Sequence, residues 1–228
     1  MVARTAARKS IIRKGQSLAR PYCLDGPDPY GGALMVTKLS VIATLQSGIV
    51  LSRKEAPCEG KSFEYKRLNL RAINETGRVV SSGLDKFYTQ EELNSSQLTQ
   101  SGDIVIRLFA PLFPTVITDR DAGLVVPSQL ALIRLRDQTV LPAYLQLCLS
   151  RQNIVETLLS KEIGVHRSIT VKALSDLSIP LVPIEIQKKT IEICDLSKRR
   201  KQLYQKLVEQ EQLQTEFLIE SMIGGFQK

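Results

Sequence analysis

Two kinds of hydrophobic pattern divide this chain. From Val36 to Val182 apolar residues come in short runs separated by turn signals. After Pro183 they recur at helical spacing, with neither proline nor glycine until Gly224. This second stretch opens IPLVPIEIQKKTIEI and continues CDLSKRRKQLYQKLVEQEQLQTEFLIESMI. Its richness in Glu, Gln, Lys and Leu predicts one long helix. At ~1.5 Å per residue, Glu185 to Met222 makes a rod on the order of 57 Å, a length that needs support from a partner surface. A heptad register starting at Ile186 places Ile186, Ile193, Arg200, Leu207, Gln214 and Ser221 at one seam position. The other seam position takes Lys189, Leu196, Leu203, Gln210 and Phe217. Six of these eleven are apolar (Ile186, Ile193, Leu196, Leu203, Leu207, Phe217), enough for a helix partner but poor for an autonomous zipper. The competing reading is a surface helix lying on its own domain, which the scarcity of other apolar residues disfavours.

The first stretch reads as a mixed domain. Lys38–Leu45 predicts a short helix and Ser47-Gly48 a turn, followed by a loop over Arg53–Gly60. Tyr65–Ile73 alternates as a strand does, and Asn74–Gly77 is a turn signal. Ser81–Asn94 is polar apart from aromatic residues such as Phe87 and Tyr88. Gly102-Asp103 then leads into the strand IVIRLF. Thr115–Thr118 and Leu124–Leu135 add β-branched runs, the second bent at Pro127. Pro142–Leu159 switches to helical spacing, Thr170 caps a short helix VKALSDL, and Ser178–Val182 returns to strand. With no internal repeat and irregular connections, the expected class is α+β: a mixed α/β domain over 36–182, a long C-terminal coiled-coil helix over 183–223, and a tail over 224–228.

Charge changes the picture of the N-terminus. The chain carries a net charge of +8 over 228 residues, with a pI near 9.4. Residues 1–35 hold six basic residues against two acidic ones, half of that excess. This segment is Arg-rich, then rich in Gly and Pro, and predicts a mobile basic leader. Three readings stay open for it: an organelle transit peptide, a DNA-binding arm, or an upstream start before a domain that begins sensibly at Met35. The overall excess favours a polyanionic partner. No apolar run approaches the ~20 residues needed to span a bilayer, and the N-terminus lacks a secretory apolar region. Cys23, Cys58, Cys148 and Cys194 are scattered, with no C-x-x-C pair. That pattern argues for free thiols in a reducing cytoplasm and against zinc or a disulfide framework.

Catalytic chemistry finds little footing. His166, the only histidine, lies in the polar loop GVHRS without a nearby acid, and reads as a binding-loop residue before a catalytic base. Neither a P-loop nor a G-x-G-x-x-G run is present. Pro27-Asp28-Pro29-Tyr30 is similar to the Asp-Pro-Pro-Tyr element of adenine methyltransferases, but its second proline is displaced and no cofactor loop accompanies it. Asp28 with Glu64 and Lys66 fits the loose spacing of an Mg²⁺-dependent nuclease, the different-class alternative. A helix-pairing scaffold that binds no DNA is a third reading. The remaining polar chemistry is spread over Arg53, Lys54, Lys61, Arg67, Arg71, Asn74, Arg78, Lys86, Arg107, Arg120, Gln129 and Arg167, types that suit phosphates and base edges.

In order, LSVIATLQSGIVLSR, SGDIVIRL, GLVVPSQLALIRL, the helix PAYLQLCLS and the segment EIGVHRSITVKALSDLSIPLVPIEIQKKTIEI together resemble a target-recognition domain. The family is that of the DNA-specificity subunits of type I restriction-modification systems. The last segment ends in the family's proline–glutamine lead-in to a spacer helix, here Pro183 and Gln187. The resemblance covers roughly residues 36–223. It implies a bacterial or archaeal cytoplasmic subunit without catalysis, bound to double-stranded DNA and docked to DNA methyltransferase subunits, with a restriction subunit as a further partner. S-adenosylmethionine is then expected in the methyltransferase, and no cofactor in this chain. Full specificity subunits carry two such domain-plus-helix units, whereas this chain has one. A homodimer, or pairing with another half-specificity subunit, is therefore expected through Ile186, Ile193, Leu196, Leu203, Leu207 and Phe217. The expected DNA contacts are Arg53, Lys54, Lys61, Arg71, Asn74, Arg107, Gln129, His166, Arg167 and Ser168, centred on the loop Gly164–Thr170 with Gln129 as its neighbour.

Overall fold

A computed structural model of the protein describes residues 35–56, 62–160 and 168–224. The leader over 1–34, part of the Arg53–Gly60 loop, Lys61, His166, Arg167 and residues 225–228 lie outside the described residues. In chain order the elements are β1 (Met35–Lys38), α1 (Leu39–Ile42), β2 (Ala43–Ser47), β3 (Phe63–Leu68), β4 (Leu84–Thr89), β5 (Ile104–Arg107), β6 (Thr115–Val116) and β7 (Leu130–Leu135). There follow α2 (Pro142–Leu149), α3 (Gln152–Ser160), α4 (Val171–Ser175), β8 (Ser178–Leu181) and α5 (Ile184–Gly224).

A four-stranded antiparallel sheet in the order β2-β7-β5-β6 forms the centre. Successive side chains of a strand point to opposite faces, and here both faces are covered. Ile104, Ile106, Ala131 and Ile133 pack with Leu39, Leu145, Leu149, Leu158 and Leu174 on the helical side. Val105, Leu130 and Leu132 pack with Leu68, Ile73, Ile117, Leu124 and Val126 on the other. That is why IVI and LALI are unbroken apolar runs rather than alternating ones.

Two small sheets complete the domain. β1 pairs antiparallel with β8, so the start of the domain and the lead-in to the long helix are laced together, Met35 opposite Leu181. β3 and β4 form a separate two-stranded ribbon. Its inner side chains Tyr65 and Phe87 meet Leu93, Leu98 and Val125 in a third apolar cluster.

The structure corrects several local expectations. The Lys38–Leu45 helix is a single turn, after which Ala43 begins β2, because Ala43, Leu45 and Ser47 register against β7. The Tyr65–Ile73 strand stops at Leu68, where the Asn69 side chain caps a 3-10 turn by accepting from Arg71 N and Ala72 N. β4 lies inside the polar Ser81–Asn94 stretch. The helix over Pro142–Leu159 is two helices broken at Ser150-Arg151. The Thr170 cap is present, its hydroxyl accepting from Ala173 N at 3.1 Å.

α5 runs for 41 residues, about 61 Å at the helical rise. Only its first turns touch the domain. Gln187 is fully buried there: its Oε1 accepts from Leu141 N at 2.8 Å, and its Nε2 donates to Thr139 O at 2.8 Å and Val182 O at 2.9 Å. These bonds satisfy otherwise orphaned loop groups and fix the angle at which the rod leaves.

Candidate nucleic-acid interface

The expected contact residues fall into two patches. The first is assembled by Gly48. A Cβ there would sit 2.2 Å from Pro127 O, so only glycine permits the strand after β2 to run this close to the Val126–Pro127 backbone. Ile49 then bonds Val126 O at 2.8 Å, and Ser128 N donates to Ile49 O at 2.8 Å. This ties the Leu51–Arg53 turn, which carries Arg53 and Lys54, to the loop that carries Gln129. Leu108 lies between two further partners: its N donates to Gln129 O at 3.0 Å, and its O accepts from Ile169 N at 2.6 Å. Phe109 bridges Ser168. Gln129 and Ser168 are thus brought to opposite sides of one segment, and both are exposed.

The second patch is the turn carrying Arg71 and Asn74. Gly83 packs against it, with a Cβ there only 2.4 Å from Ala72 N. Arg71 is exposed and Asn74 half-buried. Arg107 behaves differently from an exposed contact. Its Nη2 donates to Leu70 O and to Ile73 O, its guanidinium lies 5.0 Å over the Phe113 ring, and its Nε is buried with no partner among the described residues. Burial pulls its pKa down. The side chain holds the turn in place from beneath, a role that the basic residue type alone does not reveal.

An ion pair braces the sheet at the Ile104–Ile133 end of the β5–β7 pairing, away from both patches. Asp103, 2% exposed, takes two bonds from Arg134, Nε to Oδ1 at 2.8 Å and Nη2 to Oδ2 at 2.7 Å; Oδ2 also accepts from Gln100 N at 2.7 Å. The bond to Asp103 raises the Arg134 pKa. The aspartate of the Gly-Asp-Ile element is therefore a framework residue. Of the nuclease alternative, Asp28 lies outside the described residues, and the Glu64 carboxylate is occupied by Lys86 Nζ at 2.8 Å.

The seam of α5 faces solvent. Ile186 is half-buried, but Ile193, Leu196, Leu203, Leu207 and Phe217 are exposed, Leu203 by 58% and Phe217 by 69%. From Asp195 to Ile223 every side chain is exposed in the single chain, so the helix does not lie on its own domain over this length. No described helix is long and apolar enough to cross a membrane.

A mixed α+β domain laced at its base to a projecting helix is the architecture these contacts define. It is the fold of type I specificity subunits. The HsdS subunit from Thermoanaerobacter tengcongensis superposes with a TM-score of 0.66 at 19% identity, covering 82% of this chain and 47% of that one. A chain from a structure of complex assembly and conformational transition in the type I R-M system superposes at 0.52 and 21% identity, covering 76% of this chain and 41% of that one. The protein thus spans a little under half the length of these structures. No family model matches its sequence, and neither does any curated protein.

Proposed function

We propose that this protein is a non-catalytic DNA-specificity subunit that reads one half-site of double-stranded DNA and docks DNA methyltransferase subunits, with a restriction subunit as a further partner. The observation that carries the reading is a specificity-subunit fold with a long helix whose outer part is exposed along its whole length. Arg53, Lys54, Gln129 and Ser168 on one patch, and Arg71 and Asn74 on the other, supply the side chains that grip phosphates and read base edges. Lys61, His166 and Arg167 extend that set from outside the described residues. The S-adenosylmethionine belongs to the methyltransferase.

A second copy of the chain, or another half-specificity subunit, covers the exposed seam of α5. Charge along the helix favours a second copy in antiparallel orientation. Lys198, Arg199, Arg200, Lys201 and Lys206 form a block without an acid, and Glu209, Glu211, Glu216 and Glu220 form the next block without a base. Antiparallel pairing about Leu207-Val208 sets each basic block against an acidic one, whereas parallel pairing sets like against like.

Reconstitution tests the function. Purified alone with duplex DNA and a labelled methyl donor, the chain transfers nothing. Added to its methyltransferase subunit, it confers methylation at a defined sequence. Methyl transfer by the chain alone, or site-specific methylation by the methyltransferase without it, contradicts the proposal.

A further inference from the structure

The two halves of the segment Leu70–Gly77 are anchored differently. In the first half Ala72 and Ile73 are buried in the second apolar cluster, and Arg107 of β5 holds Leu70 O and Ile73 O from beneath. The second half, Asn74–Gly77, has no buried side chain. It borders a cavity of about 340 Å³ shared with the Pro111–Pro114 loop, α2 and Lys198 of α5. Apolar packing therefore fixes where the segment starts but not where it ends.

One side chain spans that cavity. Gln146 of α2 uses both its N–H donors on backbone carbonyls, Nε2 donating to Gly77 O and to Pro114 O, each at 2.9 Å. Gly77 O has no other donor among the described residues. The fit is close: Gly77 has φ +69°, and a Cβ there would sit 2.2 Å from Gln146 Nε2, so glycine alone lets the turn close onto the amide. α2 is itself fixed. Tyr144, Leu145 and Leu149 are buried in the main core, and the Tyr144 hydroxyl donates to Pro180 O at 3.0 Å, in the lead-in to the rod. Gln146 thus joins the far end of the turn to a rigid helix.

We propose that Gln146 is a positioning residue for sequence reading, setting where Arg71 and Asn74 meet the DNA without touching the DNA itself. The proposal rests on the DNA-reading function of that turn. Base edges are read only by donors and acceptors within hydrogen-bond reach, whereas attraction to phosphates needs only the charge nearby. A turn released from Gln146 keeps its charge and its general hold on duplex DNA, and loses its preference among sequences.

The test uses the full chain assembled with its methyltransferase subunits. Affinity for the duplex that the parent selects from a random pool is divided by affinity for a random-sequence duplex. Gln146→Met keeps the reach of the side chain and removes both donors. Gln146→Asn is one methylene too short to span both carbonyls, and serves as the second variant should the first not fold. Gln146→Lys restores donors at similar reach, and the ratio cancels its added charge. Arg71→Gln/Asn74→Ala removes the contacts of the turn outright. Gln146→Met and Gln146→Asn should each lower the ratio roughly tenfold, the cost of one imperfect base contact, with random-duplex affinity unchanged. Gln146→Lys should recover most of it. An unchanged ratio, or a loss shared equally by both duplexes, overturns the positioning role while DNA reading stands. A full ratio in Arg71→Gln/Asn74→Ala overturns it too, because the turn then reads nothing. If the parent binds both duplexes alike, DNA reading itself fails and the positioning role fails with it.

Discussion

Gln187→Ala is the sharpest perturbation of the joint between domain and rod. The wild-type amide uses both its N–H donors, to Thr139 O and Val182 O, and accepts one bond from Leu141 N at its oxygen. Alanine removes all three and leaves a backbone N–H and two carbonyls without their partner, at a position that is fully buried in the parent. A buried hydrogen bond contributes about 1 kcal/mol net, and a stranded buried group costs about 1–3 kcal/mol. With partial relaxation the loss is roughly 3–5 kcal/mol, or a fall in Tm of about 10 °C for a unit of this size. Thermal melting followed by circular dichroism measures the global effect. Amide exchange at Leu141 measures the local one, because that N–H loses its acceptor and should exchange faster even where the remaining domain is protected. A variant that melts within about 2 °C of the parent, with Leu141 exchange unchanged, would refute the view that this side chain locks the rod to the domain.

Asp103→Ala removes the ionic partner of Arg134, which keeps its bond to Leu98 O at 3.0 Å, and frees Gln100 N. Because Arg134 keeps 28% of its side chain exposed, the expected loss is about 2–3 kcal/mol, below that of a fully buried pair, read as a lower Tm. Leu203→Asp changes a residue that is 58% exposed in the single chain, so the domain should melt as before while any helix pair loses several kcal/mol. Light scattering should then report a monomer, and a variant of unchanged mass removes Leu203 from the interface.

How much of this was legible beforehand depended on where the determining contact lies along the chain. The long helix was legible because forty residues of helix formers without a breaker need no tertiary information. IVIRLF was legible because both faces of β5 are buried, which leaves a solid apolar run. β4 was not: its inward residue Phe87 is flanked by exposed Lys86 and half-buried Tyr88, and its pairing with β3 across Asn69–Gly83 supplies what the sequence signal lacks. The end of β3 depended on a single side-chain cap from Asn69, which competes with strand at the cost of local polar residues only. Site residues were the least legible. Basic residues alone cannot separate Arg107, folded under the turn that carries Arg71, from Arg71 itself, which is exposed.

Two identical readers related by a two-fold axis prefer an inverted repeat, with the gap set by the paired helices. Selection of bound duplexes from a random-sequence pool, with the methyltransferase subunits present, tests this most directly. The account predicts an enriched interrupted palindrome whose two halves are the same sequence on opposite strands. Two unrelated halves would mean that this chain pairs with a different specificity half, and no enriched sequence at all would contradict DNA reading itself.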